Sequence, residues 1–141
     1  MQNMDLHSCK LIADVTVSKS DKVLLVKYTD NNKYDLQKGW FLPNDLLEFG
    51  EHPEDAVIRI LKNQLGIENV KLTLGDVESF TGNDKSWHIV FHYKTNLSED
   101  TDVVPEKEIS ETGWFELDSL PDAKEVAHHG WALFTIKTLL K

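Results

Sequence analysis

Cys9 is the only cysteine in the chain. No internal disulfide can form, and a cysteine-based zinc site is excluded. Its plain reading is a partly buried small residue near the first strand. Cations are scarce as well: 15 Lys and Arg stand against 24 Asp and Glu, a formal net charge of −9. Nucleic-acid affinity rests on clustered Lys and Arg, so binding a phosphate backbone is excluded as the main activity. A small phosphorylated ligand held through a metal ion is not excluded. No run approaches the roughly 18–20 apolar residues of a membrane span. The opening residues, MQNMDLHSCK, lack the apolar stretch of a secretory signal, and the expected location is the cytoplasm. Internal repeats and low-complexity linkers are missing too. The 141 residues suit a single domain, 1–141, large enough to bury a core.

What is present reads as strands around a helix. IADVTVS (Ile12–Ser18) and KVLLVKYT (Lys22–Thr29) are β-branched and apolar around a short KSD turn, which predicts a hairpin. NNKYDLQKG (Asn31–Gly39) reads as a loop, and WFLP (Trp40–Pro43) as a short strand stopped by its proline. A helix follows. Pro53 suits its first turn, Glu54 and Asp55 suit the positive end of its dipole, and Gly66 suits the position just past its end. Val57, Leu61 and Leu65 recur every four residues as a buried stripe, with Ile60, Asn63 and Gln64 on a neighbouring face. VKLTLGDVESF (Val70–Phe80) and SWHIVFHYKT (Ser86–Thr95) flank TGND as a long hairpin. Its second strand alternates Trp87, Ile89, Phe91 and Tyr93 against His88, Val90 and His92, with the histidine side expected on the solvated or cleft-lining face. An acidic loop, a strand GWFEL (Gly113–Leu117) and a helix from Glu125 to Leu140 complete the chain, with His129 expected to pack against the sheet. Without regular βαβ alternation, a mixed sheet is expected.

Between Trp40 and Ile67 the chain reads WFLPNDLLEFGEHPEDAVIRILKNQLGI. This resembles the Nudix hydrolase superfamily, whose MutT-like signature is G-x5-E-x7-R-E-U-x-E-E-x-G-U, with U bulky and apolar. Glu51, Arg59, Leu61, Gly66 and Ile67 fall in register, as do Trp40, Leu42, Pro43, Glu48 and Gly50 of the longer run in which the signature sits. Downstream, TGWFELDSLPD resembles a W-F-x-x-D-x-L-P segment common in the family. The resemblance implies an α+β fold, a three-layer α/β/α sandwich around a mixed β-sheet. It also implies hydrolysis of a diphosphate linked to some group X, with Mg²⁺ or Mn²⁺ held by helix glutamates. Hard cations need anionic oxygens, and the signature supplies them.

Here the pattern breaks. Ile60, Asn63 and Gln64 stand where the helix glutamates belong, and Asp45 replaces the signature glycine. Isoleucine has no ligand atom, and the amides offer only neutral carbonyls. Asn44 and Asp45 tolerate a left-handed backbone, so the loop and a carbonyl that could meet a cation are expected to survive. The resemblance assigns Arg59, paired with Glu51, to holding the loop, beside Gly66 at the helix end. If the reaction persists, Glu51 and Glu48 are the candidate bases, and Glu48, Glu51 and Glu108 are the candidate metal ligands, with His52 and Glu111 as weaker additions. Three readings stay open. One is a cation-dependent pyrophosphohydrolase of nucleoside diphosphate derivatives, with activity weak, lost or relocated. The second is a non-catalytic domain binding a nucleotide or sugar nucleotide as sensor or regulator, and the third is a protein-interaction scaffold. The partners expected are a nucleotide or other diphosphate ligand and, by resemblance, a second copy in a homodimer, with no nucleic acid and no membrane. The cofactor is Mg²⁺ or Mn²⁺ if active and none otherwise. An aromatic among Trp40, Phe80, Trp87 and Trp114 is expected to line the ligand pocket.

Overall fold

A computed structural model describes residues 9–30, 36–82 and 85–140. In chain order these form β1 (Cys9–Lys19), β2 (Lys22–Tyr28), β3 (Asn44–Leu46), α1 (Pro53–Leu65), β4 (Thr73–Thr81), β5 (Trp87–Asn96), β6 (Ile109–Glu116) and α2 (Ala127–Leu139). A mixed six-stranded sheet runs β4-β5-β1-β2-β6, with β3 also paired to β1. Among the described strands only β1 and β5 run parallel, in register from Cys9 opposite Trp87 to Ser18 opposite Asn96. The β1–β2 hairpin stays paired only near its turn, at Ser18–Val23 and Lys19–Lys22. Beyond that the two strands part, and the segment from Phe41 to Leu46 fills the gap. Phe41 exchanges backbone hydrogen bonds with Val26, and β3 pairs Ile12, Ala13 and Asp14 with Leu46, Asp45 and Asn44. The expected strand at Trp40–Pro43 is therefore displaced. Pro43 has no N–H to give, yet its carbonyl accepts from Val15 at 3.1 Å, and regular pairing resumes at Asn44.

The sheet is covered on both faces. Along β2 the side chains alternate: Leu24 and Val26 join a core beneath α1 with Val57, Leu61 and Leu65, whereas Val23 and Leu25 join a second core beneath α2 with Trp40, Leu42 and Ile136. That alternation makes a three-layer α/β/α sandwich. Burying the Val57–Leu61–Leu65 stripe contributes about 2 kcal/mol per side chain before ordering costs. The ends of α1 match expectation, with Pro53 at the start and a left-handed Gly66 (φ 67°) returning its N–H to Lys62. His52 is its N-cap, its Nδ1 accepting from the Glu54 N–H at 3.0 Å.

Two expectations fail on the far side of the sheet. The terminal helix does not run smoothly from Glu125, because His128, His129 and Gly130 all adopt left-handed conformations (φ 54°, 58° and 90°). A Cβ on Gly130 would come within 2.8 Å of the Ala123 Cβ, so the turn is fixed by close approach. It carries His129 into solvent and His128 to the cavity wall, the reverse of the expected packing. On β5, His88, Val90 and His92 are buried, His88 on the cavity wall as the cleft-lining alternative has it, and Trp87 on the apolar side is half exposed. Among the described residues no helix is long and apolar enough to cross a membrane.

Candidate functional site

The loop before α1 is built around Arg59, the chain's single arginine. Its Nε and NH2 donate to the two oxygens of Glu51, each at 3.0 Å, its NH1 donates to Asp45 Oδ2 at 3.0 Å, and NH2 reaches the Leu46 carbonyl at 2.9 Å. Glu51 Oε1 also accepts the Glu48 N–H at 2.9 Å. Both oxygens of Glu51 are thus engaged, and the hydrogen bond from Arg59 holds its carboxyl below the ordinary glutamate range. Glu51 and Asp45 in turn raise the Arg59 guanidinium further, against a smaller penalty from burial. The Arg59–Glu51 contact is present, and Asp45, which sequence reading treated as a tolerated glycine substitute, is its third member.

The helix face behind this clamp is neutral. Ile60 is 1% exposed and packs into the α1 core, while Asn63 faces solvent. The two therefore do not share the environment that the helical spacing suggested. Gln64, 2% exposed, closes a ring of hydrogen bonds. Its Oε1 accepts from the Tyr28 hydroxyl at 2.8 Å, that hydroxyl accepts the Asn44 N–H at 3.0 Å, and Gln64 Nε2 donates to the Asn44 carbonyl at 2.9 Å. The Asn44 carbonyl of the loop is taken by an amide.

Asn44 and Asp45 also border a cavity of about 750 Å³ between the sheet and α2. Phe41, Phe80, His88, His128 and Trp131 supply an aromatic wall. Phe80 stacks on His88 with ring centres 4.9 Å apart, and Trp131 meets Phe80 and His128 edge to face at 5.3 and 5.8 Å. Asp14 and Glu78 line the same cavity, with His92 between them. His92 Nδ1 lies 2.8 and 3.0 Å from the two oxygens of Asp14, and its Nε2 lies 2.8 Å from Glu78 Oε1, which also accepts the Trp131 indole N–H at 3.3 Å. Burial by itself disfavours the imidazolium, but the bonds and charges of Asp14 and Glu78 outweigh it and lift the His92 pKa to about 9. Burial also raises the Asp14 carboxyl, and His92 offsets only part of that rise. The array sets the His92 imidazole between two carboxyl groups.

A family model for the NUDIX domain matches residues 10–134. The chain belongs to the NUDIX family. It resembles in fold a MutT NUDIX hydrolase from Burkholderia pseudomallei, with 22% identity, 93% of this chain and 98% of that one covered, and a TM-score of 0.74. A Caenorhabditis elegans Ap4A hydrolase in binary complex matches at 20% identity, 93% and 97% coverage and a TM-score of 0.67. The dihydroneopterin triphosphate pyrophosphohydrolase of Escherichia coli matches at 14% identity, 92% and 94% coverage and a TM-score of 0.71. No curated protein matches the sequence.

NUDIX hydrolases use divalent cations, and the donors at this NUDIX box do not fit one. Hard cations seek carboxylate and carbonyl oxygens, whereas the helix offers isoleucine, an exposed amide and a buried amide whose N–H faces the Asn44 carbonyl. Among the described residues no group of three or more His, Cys, Asp and Glu is arranged to hold a metal ion, the set of Glu48, Glu51 and Glu108 included. Of the aromatics considered from sequence, Phe80 and Trp40 line the cavity, while Trp87 is exposed and bonded to Ser79 through its indole N–H. Trp131 was missed. Its place in a four-residue helical pattern with Thr135 was the one available signal. Asp14, Glu78 and His92 were missed as a group because 78 residues separate Asp14 from His92, and only the parallel β1–β5 register joins them.

Proposed function

We propose that this NUDIX chain binds a nucleotide-derived small molecule in the aromatic cavity, without a divalent cation at the box helix and without hydrolysing the ligand there. One observation carries the reading: Gln64 donates a buried N–H to the Asn44 carbonyl inside a closed, neutral ring with Tyr28. A cation at that carbonyl would have to break the bond and strand a buried donor, at a cost of about 1–3 kcal/mol. It would find no carboxylate on Ile60, Asn63 or Gln64 in return. Glu51 is a poor base in this setting, because Arg59 and the Glu48 N–H occupy its oxygens and favour its ionised, bound form. The cavity, by contrast, is large enough for a nucleoside-sized ligand, and its aromatic wall suits a planar ring.

The test is a panel of nucleoside diphosphate derivatives, measured for binding and for product with Mg²⁺, with Mn²⁺ and with EDTA. Saturable binding that EDTA changes by less than about twofold, with no product, is the expected result. Cation-dependent product formation that disappears in Glu48→Gln or Glu51→Gln would overturn it.

A further inference from the structure

We propose that Glu78 and Asp14 read amino donors on the ligand's ring, so that the cavity takes a planar nitrogen heterocycle bearing amino groups, neutral or cationic, in preference to its carbonyl-bearing counterpart. The inference rests on the preceding reading that the cavity is the ligand site, and adds the chemistry of what enters it. Phe80 and Glu78 lie two residues apart on β4, and both line the cavity together with Asp14 from β1. The aromatic wall and the carboxylates therefore meet in one space.

The carboxylates are fixed from behind. His92 is 2% exposed and bonds to both, and the Trp131 indole bonds to the same Glu78 oxygen as His92. Glu78 Oε1 thus carries two donors, while Oε2 has no hydrogen-bond partner among the described residues. The Glu78 side chain is 34% exposed, and Glu78 lines the cavity. An ionised carboxylate is an acceptor only. A ring amino group facing it gains a charge-assisted hydrogen bond, and a ring carbonyl facing it meets another acceptor. Sites built around fixed polar groups reject analogues that leave those groups unpaired.

The experiment compares 2,4-diaminoquinazoline with quinazoline-2,4-dione, the same bicycle with amino groups or carbonyls. Binding is followed by calorimetry and ligand-observed NMR in EDTA, on wild type and Glu78→Gln. Wild type is expected to bind the diamine at least tenfold tighter than the dione. Glu78→Gln, of equal size and with melting temperature recorded, is expected to reduce that preference to threefold or less. Equal affinity for the two rings, or tighter binding of the dione, overturns the proposal without recourse to any variant. So does an undiminished preference in a folded Glu78→Gln. If neither ring binds while nucleotides still bind in EDTA, the donor-reading inference fails and the cavity reading stands. Cation-dependent turnover of nucleotides would sink the reading itself, whatever the rings do.

Discussion

Two carboxylate–cation arrays lie on either side of the Asn44–Asp45 corner, and they differ in what they leave over. At the box, Arg59 spends its donors on Glu51, Asp45 and the Leu46 carbonyl, and the backbone N–H of Glu48 takes a further bond to Glu51. Each oxygen of Glu51 is thereby engaged, Oε1 by two donors and Oε2 by one. At the cavity, His92 has two nitrogens for two carboxylates, and Glu78 keeps one oxygen uncommitted. A guanidinium with several donors saturates its partners and fixes a loop. An imidazolium with two donors fixes its partners in place and leaves acceptors facing the cavity. On the proposed reading, the ligand-facing charge of this chain lies on the β1–β4–β5 wall and not on the box helix.

Breaking the saturated array should have the largest effect. Arg59→Ala leaves Asp45 and Glu51 facing each other across an emptied, part-buried site. The expected loss is about 2–4 kcal/mol in urea unfolding, with faster proteolysis between Asn44 and Glu51. Unchanged protease resistance of that loop would mean that the clamp does not hold it. Next comes Gln64→Leu, which removes the acceptor of the Tyr28 hydroxyl at 2.8 Å and the donor to the Asn44 carbonyl at 2.9 Å and should cost about 1–3 kcal/mol. Tyr28→Phe with Gln64→Leu should cost less than the sum of the two single changes, because the same bonds are counted twice.

The cavity array should respond to pH in a direction of its own. His92 is raised from 6.5 to about 9 in the folded chain, so its contribution is fully present below pH 6.5 and is lost as pH climbs through 9. Comparing urea unfolding at pH 7 and pH 10 should show a smaller pH-dependent loss in His92→Gln than in wild type. Equal losses in the two proteins would remove His92 as the cause. Smallest of all is Phe49→Ser. Phe49 stands fully exposed at the tip of the box loop, and its removal should stay within about 0.5 kcal/mol, with cavity binding unaltered.

Much of the fold was legible where local chemistry decides it. The start of α1 at Pro53, its end at Gly66 and its buried Val57–Leu61–Leu65 stripe follow from short-range rules, and β2 declares its two covered faces in the unbroken run Val23–Val26. Expectation failed where partners far along the chain decide. The alternation on β5 separates two faces but cannot say which one α2 covers, and so the histidine face stayed open between solvated and cleft-lining; His88 on the cavity wall is the second. The strand at Trp40–Pro43 shifted because β1 and β2 part and take Phe41–Leu46 between them, Phe41 on β2 and Asn44–Leu46 on β1. The left-handed turn at His128–Gly130 carries only a glycine as its signal. At the site, the spacing of Glu51 and Arg59 made their contact readable through the family resemblance. Asp45 joining Arg59, and Gln64 closing on Asn44, depend on how the loop folds back over the helix.

The central claim is that an amide has replaced a cation at the Asn44 carbonyl. It is tested most directly by titrating Mn²⁺ into wild type and into the triple variant Ile60→Glu/Asn63→Glu/Gln64→Glu, following bound metal by electron paramagnetic resonance. The account predicts no stoichiometric Mn²⁺ binding to wild type at millimolar metal, and a bound ion in the folded triple variant. Stoichiometric binding to wild type that Glu48→Gln or Glu51→Gln abolishes would contradict it, and would return the box to the centre of the protein's chemistry.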